Sequence, residues 1–333
     1  MSEEKIARDI ETRKVQKLGS SSLFITLPKK WINKWSIKPG DKVILEALDD
    51  GSLRLIAEKV KSNAGKKTIL VDADSLKQPL INIIPCLYIL GFDEIVFETK
   101  KDFTKKDFED VLYISKHLVG AEVVENSEKK IKLECLLDTE KVGVESLLRR
   151  ILNIISKRID EVSKFLTNFN TTHQIGITNN DDLRKIYLML LRRIIGNKYQ
   201  SSSTEYYRNS FILLNISILT NIDYIVSKIS ELRGNFDVSP SQTDTLKSIF
   251  TSINDVLDEI VMSVLFPSVK RISNGFNLIS QIRQNLLKIK DSLPSSFNLY
   301  LEDLVNLLEN ALNNSMCGIF LEDLPWIEKD LTA

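Results

Sequence analysis

Two histidines and three cysteines in 333 residues leave little material for zinc chemistry or a histidine-based active site. Cys86, Cys135 and Cys317 lie far apart with no CxxC spacing, and His117 and His173 do not fall near them. Reduced thiols in a reducing compartment fit this distribution. The chain has no glycine-rich phosphate loop, neither GxGxxG nor GxxxxGK, and no Ser, Cys or Asp constellation around either histidine, so no enzyme and no cofactor is expected. The first residues, MSEEKIARDIETRK, place acids where a signal peptide needs a basic start and an apolar run. The most apolar later stretch, Phe211 to Ile229, is interrupted by Asn215, Thr220, Asn221 and Asp223, each costly in lipid. A cytoplasmic protein without membrane insertion is the expectation.

Net charge is also missing, with 45 basic against 45 acidic residues. Averaged over the chain, that balance argues against a nucleic-acid partner, but the charges are unevenly placed. From Thr12 to Lys38 the charged residues are Arg13, Lys14, Lys17, Lys29, Lys30, Lys34 and Lys38, with no Asp or Glu among them. Acids return directly afterwards in Asp41, Glu46, Asp49, Asp50 and Glu58. Such local asymmetry marks one face of one small module, either for phosphate neutralisation or as a solvated surface.

The pattern around these charges predicts a strand at Arg13 to Leu18, a break at Gly19 to Ser22, and a strand at Leu23 to Leu27. Pro28 opens a short helix whose Trp31, Ile32 and Trp35 have helical spacing, favouring packing over base stacking, and Pro39-Gly40-Asp41 ends it. A hairpin follows, Val43 to Leu48 and Leu53 to Ala57, turning at Asp49-Asp50-Gly51-Ser52. So small a unit buries too little to stand alone, while Leu23, Ile25, Leu27, Val43, Leu45, Leu53 and Leu55 are too apolar to stay exposed. Dimerisation by interleaved strands answers both problems.

Residues 59–66 look like a linker. Strands at 67–72, 93–98, 121–126 and 130–136, with helices at 75–90 and 104–119, predict a small α/β domain, serving as a spacer, for dimerisation or for ligand sensing. From Gly143 the period is helical. Helices ending near 166 and spanning about 181–200, 205–233, 243–266, 269–290 and 297–321 predict an antiparallel bundle of two three-helix halves. The expected fold is multidomain α+β: a dimeric swapped-hairpin barrel at 12–58, the α/β domain at 67–138 and the bundle at 143–322. Carboxylates one helical turn apart share a face and could ligate one metal ion; Asp255 with Glu259 fits, and Glu302 has Asp303 and Asn306 nearby. A solvated helix surface is the other reading of each pair.

The stretch TRKVQKLGSSSLFITLPKKWINKWSIKPGDKVILEALDDGSLRLIAE resembles the AbrB/SpoVT/MazE swapped-hairpin DNA-binding domain. It has the basic first strand, the Gly turn, the Leu-Pro ending, the basic short helix and the Lys-Pro-Gly-Asp turn. The six-helix region is similar to the PhoU domain, and the whole order resembles the archaeal PhoU-type phosphate uptake regulators. That resemblance implies a homodimeric transcriptional regulator on double-stranded DNA. Its bundle would sense phosphate status or relay it through a transporter subunit or another regulator.

By position, the DNA contacts would fall to Arg13, Lys14, Lys17, Lys29, Lys30 and Lys34, with Ser20, Ser21 and Ser22 close to phosphate oxygens. Ser20 stands where bacterial members commonly have a base, and the Gly19 to Pro28 interval is longer. The ExxxD metal pattern of PhoU bundles is not kept: Leu219 precedes Asp223 by four residues, and Asn306 follows Glu302. No metal set is therefore carried over.

Overall fold

The computed structural model describes residues 11–19, 22–47, 51–58, 66–137, 141–167, 181–196, 203–232 and 239–322. The chain divides into two compact units, Met1–Gly65 and Lys66–Ala333.

In the first unit, β1 (Gln16–Leu18) pairs antiparallel with β2 (Ser22–Phe24), placing Lys17 opposite Leu23. Gly19 takes a φ of +68° at the turn, a conformation a Cβ would oppose. Helix α1 (Lys29–Lys34) follows Pro28, whose φ of −61° suits a helix entrance. β3 (Val43–Ala47) then pairs with β4 (Leu53–Ala57) in a five-residue antiparallel register.

Several boundaries differ from the sequence expectation. The first ladder holds three residues per strand, so Arg13–Val15 and Ile25–Leu27 lie outside it. Helix α1 ends before Pro39-Gly40, because Ser36 turns to a φ of +49° and donates its N–H to Asn33. The backbone N–H of Lys38 then bonds Asp41 Oδ2 at 2.7 Å, closing the turn through a side chain rather than through proline. Ser20, Ser21, Asp49, Asp50 and residues 59–65 lie outside the described residues.

Among the described residues the two ladders share no strand pairing. Ile56 and Ala57 are the buried apolar residues among those described in this unit, whereas Leu23 is 72 % exposed and Leu45 61 %. Trp35, expected in a core, is 38 % exposed. A single copy therefore leaves much apolar surface of this unit in water.

The second unit begins with a two-layer α/β region. β5 (Thr68–Asp72) runs parallel to β6 (Glu94–Glu98), joined through α2 (Leu80–Ile89), and the sheet order is β5-β6-β8-β7. Helix α3 (Lys105–Ser115) leads to β7 (Ala121–Asn126) and β8 (Lys130–Cys135), both antiparallel additions. Thr104 begins α3 with a capping box, exchanging bonds with Asp107. Ile84, Tyr88, Phe97, Ile114, Ile131 and Leu133 form the core under α2 and α3. The opposite sheet face carries charge instead: Lys132 pairs with Glu94 and with Glu134 (2.8 Å), and Lys66 reaches Glu134 at 2.9 Å.

The helical region comprises α4 (Val144–Thr167), α5 (Asp181–Ile195), α6 (Ser203–Glu231), α7 (Pro240–Leu265), α8 (Val269–Ile289) and α9 (Ser295–Met316), with a short last helix, Ile319–Glu322. On α4, Leu148, Ile151, Ile155, Ile159, Val162 and Leu166 recur at steps of three and four and are buried. α4 packs on α5, α6 and α7; α9 packs on α6, α7 and α8. Helix α6 is long and apolar enough to cross a membrane by length and composition. Here its Ile212, Ile216, Leu219, Ile222, Val226 and Ile229 are buried in the common core of the helices.

The α/β layer and the helices meet on α5. Arg192 donates from Nη1 to the carbonyls of Tyr88 (2.7 Å) and Phe92 (2.8 Å) and from Nη2 to Asp93 (2.9 Å). Gly196 and Gly91 touch backbone to backbone: a Cβ at Gly196 would come within 2.9 Å of the Gly91 Cα.

Candidate nucleic-acid interface

The basic residues singled out in the sequence are on the outside of the first unit. Arg13, Lys14, Lys17, Lys29, Lys30, Lys34 and Lys38 are all exposed, and Lys42 beyond them is exposed too. On α1 the helical repeat of 100° per residue puts Lys29, Lys30 and Lys34 within one arc. Trp31, Ile32 and Trp35 occupy the other side, with Trp31 and Ile32 half-buried. Lys30 and Lys34 stand one turn apart, a spacing suited to neighbouring phosphates. The Lys34 ammonium lies 5.3 Å from the Trp35 ring centre, which holds the long side chain over the aromatic face.

Arg13 departs from the expectation. Its guanidinium is bonded to Glu11, one residue before the acid-free stretch begins. An exposed pair of this kind contributes little, and phosphate competes with it readily. Across β3 and β4, Arg54 approaches Glu46 at 3.8 Å, so this hairpin carries mixed charge. Of the three serines, Ser22 is exposed at the start of β2; Ser20 and Ser21 lie outside the described residues.

The acidic candidates of the helical region do not come together. Asp223 is fully buried and accepts from Arg158 Nη1 at 2.8 Å, so an arginine from α4 supplies its positive charge. Glu259 is held by Arg271 at 3.1 Å and by Asn274 at 2.7 Å, while Asp255 is exposed. Glu302 bonds Lys290 at 2.8 Å, and Asn306 accepts from Arg283. Among the described residues no group of three His, Cys, Asp or Glu is arranged to hold a metal.

His117 is buried, with Nδ1 against the Tyr113 carbonyl and Nε2 against Asp181, both 2.9 Å, an anchoring arrangement between α3 and α5. His173 lies outside the described residues. The α/β region has an open hollow of about 340 Å³ past the carboxyl ends of β5 and β6, lined by Leu70, Asp72, Glu98, Thr99 and Lys100. Beside it, Asp74 accepts from the Lys100 N–H and the Thr99 hydroxyl, which hold its carboxyl below the usual range. The hollow has no phosphate-binding sequence motif.

Residues 16–64 match the family model described as antidote-toxin recognition MazE, bacterial antitoxin. The match takes in Lys17, Lys29, Lys30 and Lys34 and both hairpins, and leaves out Arg13 and Lys14. It supports the first unit as a hairpin DNA-binding domain of the MazE/AbrB type and does not extend to the second unit. No curated protein and no solved structure matches the chain.

Proposed function

We propose that the chain is a cytoplasmic DNA-binding transcriptional regulator that works as a homodimer, with its helical region as a sensing or interaction module. The observation that carries this reading is an acid-free set of exposed lysines on a unit that matches a hairpin domain model. Dimerisation draws on the same unit: two copies interleaving their hairpins would cover Leu23, Leu45 and Leu53, which one copy leaves exposed. Regulation of phosphate uptake is the finer part, drawn from the resemblance of the helical region to PhoU domains, with a transporter subunit or a second regulator as its contact. Neither catalysis nor a bound cofactor is needed.

Binding of duplex DNA measured across salt concentrations tests the core of the proposal. A dimer neutralising about six phosphates gives a log–log slope near −5, from roughly −0.9 per phosphate. A slope near zero overturns it. Sequencing the DNA recovered with the protein from cells at high and low phosphate tests the phosphate part.

The description of the matching family favours a second reading, an antitoxin-type regulator. Under it the chain copurifies with a toxic partner protein whose activity it suppresses. Recovery of DNA with no such partner counts against it.

A further inference from the structure

His117 follows the last turn of α3, where its backbone N–H bonds the Ile114 carbonyl at 2.9 Å. Asp181 is the first residue of α5. Their side chains meet at 2.9 Å within the second unit, joining the α/β layer to the helix that both cores share.

Both ring nitrogens of His117 face oxygens that accept. Nδ1 lies 2.9 Å from the Tyr113 carbonyl, which has no hydrogen to give, so Nδ1 carries one. In a neutral imidazole the other nitrogen is then a bare lone pair. Nε2 lies 2.9 Å from Asp181 Oδ1, and a lone pair set against a carboxylate oxygen at that distance is repelled. One further proton turns the contact into a bond. Histidine holds that proton in preference to aspartate, whose ordinary value of about 3.9 lies well below the ~6.5 of histidine. The geometry is that of an imidazolium donating from both nitrogens.

The surroundings favour the same charge states. His117 stands at the C-terminal end of α3 and Asp181 in the first turn of α5, so the helix dipoles favour a cation at the one and an anion at the other. The Tyr113 ring centre lies 4.7 Å from that of His117, within the distance at which an aromatic face attracts a cation. Burial works the other way, since the ring is 3 % exposed, but Asp181 keeps 37 % of its side chain in solvent and leaves the proton a path to water. Around the pair, Lys116 and Arg184 are exposed, and Asp182 pairs with Lys185 at 3.7 Å. From α2, Tyr88 donates its hydroxyl to the Val119 carbonyl at 3.0 Å. On β7, Glu122 alternates with the core-facing Ala121 and Val123 and so lies on the sheet face away from α3.

We propose that His117 and Asp181 form a proton-dependent latch that fastens the α/β layer to α5, closed while the ring carries both hydrogens and open once it loses one. At the other end of α5, Arg192 ties the same layer through Tyr88, Phe92 and Asp93, and an arginine keeps its charge across this range. Proton loss therefore releases one end of α5 and leaves the other held. Because the folded state favours the proton, the latch adds stability below about pH 6.5, and that contribution is lost as pH rises and the folded ring gives up its proton. Acidification tightens the joint between the two layers, whatever the first unit binds.

Nitrogen NMR of the full chain labelled at histidine reads the ring directly, and His173→Gln assigns the signals of the two histidines. At about pH 7, where a free histidine is mostly neutral, both nitrogens of His117 are expected to carry hydrogen. Hydrogen-exchange protection of the Lys185 and Ile186 amides, which bond into the first turn of α5, reads the latch itself. Corrected for intrinsic exchange, it should fall several-fold in the wild type between about pH 6 and about pH 8.5. Asp181→Asn should reverse that profile, because its amide donates to the bare Nε2 of a neutral ring and not to an imidazolium.

A His117 ring with one hydrogen at about pH 7 overturns the latch. Parallel protection profiles of the wild type and D181N overturn it too, since they are what a merely structural contact gives. If D181N does not fold, the wild type decides alone: a doubly protonated ring with protection that falls as pH rises supports the latch, and protection that does not change with pH overturns it.

Discussion

Arg158 on α4 and Asp223 on α6, 65 positions apart in sequence, meet at 2.8 Å in the interior of the helices. Each side chain neutralises the other where water is excluded, so the pair is far more costly to break than to replace. Arg158→Met should destabilise the protein by about 3–5 kcal/mol, since it strands a buried carboxylate. A double change of both residues to apolar ones should recover most of that loss. Urea unfolding of the single and double variants checks both outcomes.

The sheet face of the α/β region makes an acid-side prediction. Bonds from Lys132 and Lys66 hold the Glu134 carboxyl down to about 2, from an ordinary value near 4.5. A lowered folded pKa stabilises the fold above the unfolded value, and that contribution fades as pH falls from about 4.5 towards 2. Lys132→Met should flatten stability against pH in this window, measured as the denaturation midpoint at successive pH values. An unchanged slope would mean that Lys66 alone holds the carboxylate.

Where α2 meets α5, space decides the outcome. A Cβ at Gly196 would lie 2.6 Å from the Arg192 carbonyl and 2.9 Å from the Gly91 Cα, both backbone atoms. Gly196→Ala should therefore lower the melting temperature, whereas Gly143→Ala, with nothing within 4 Å, should leave it nearly unchanged. Arg192→Met at the same junction removes bonds to two carbonyls and to Asp93. A loss of about 3 kcal/mol is expected from the unsatisfied acceptors.

For DNA, the triple change of Lys29, Lys30 and Lys34 to Ala should weaken binding similarly across sequences. It should also make the salt slope shallower by roughly 0.9 for each phosphate no longer neutralised. Arg13→Ala should have a smaller effect than Lys17→Ala, because Arg13 lies outside the matched hairpin region. Titration of one labelled duplex at several salt concentrations measures all of these variants.

The elements with strong periodicity are legible in the sequence. The stripe from Leu147 to Leu166 marks α4, and the runs around Ile69 to Val71 and Glu94 to Phe97 mark the parallel strand pair. The short strands come out shorter than their composition suggests, because β propensity at Arg13–Val15 or Ile25–Leu27 cannot show whether a partner strand lies alongside. Helix α1 stops ahead of Pro39, since a single residue with positive φ, Ser36, leaves no compositional signal.

At the candidate site, exposure of the lysines follows from their helical and strand positions. The bond between Glu11 and Arg13 is hidden from a charge count that starts at Thr12. Asp223 resembles an eroded metal ligand in sequence because its neutralising partner comes from another helix, which no local spacing reveals.

Helix α5 is held in common by two cores. Its Leu188 belongs to the core beneath the sheet, its Ile186, Met189 and Leu190 belong to the core of the helices, and Tyr187 touches both. The two layers therefore share a structural member that neither can release without opening the other. The described strands and helices of the second unit should behave as one foldon, in which slow hydrogen exchange of the buried strand amides and that of the buried helix amides rise together. A signal received at the sheet would then reach the far helices as a change in the stability of the whole.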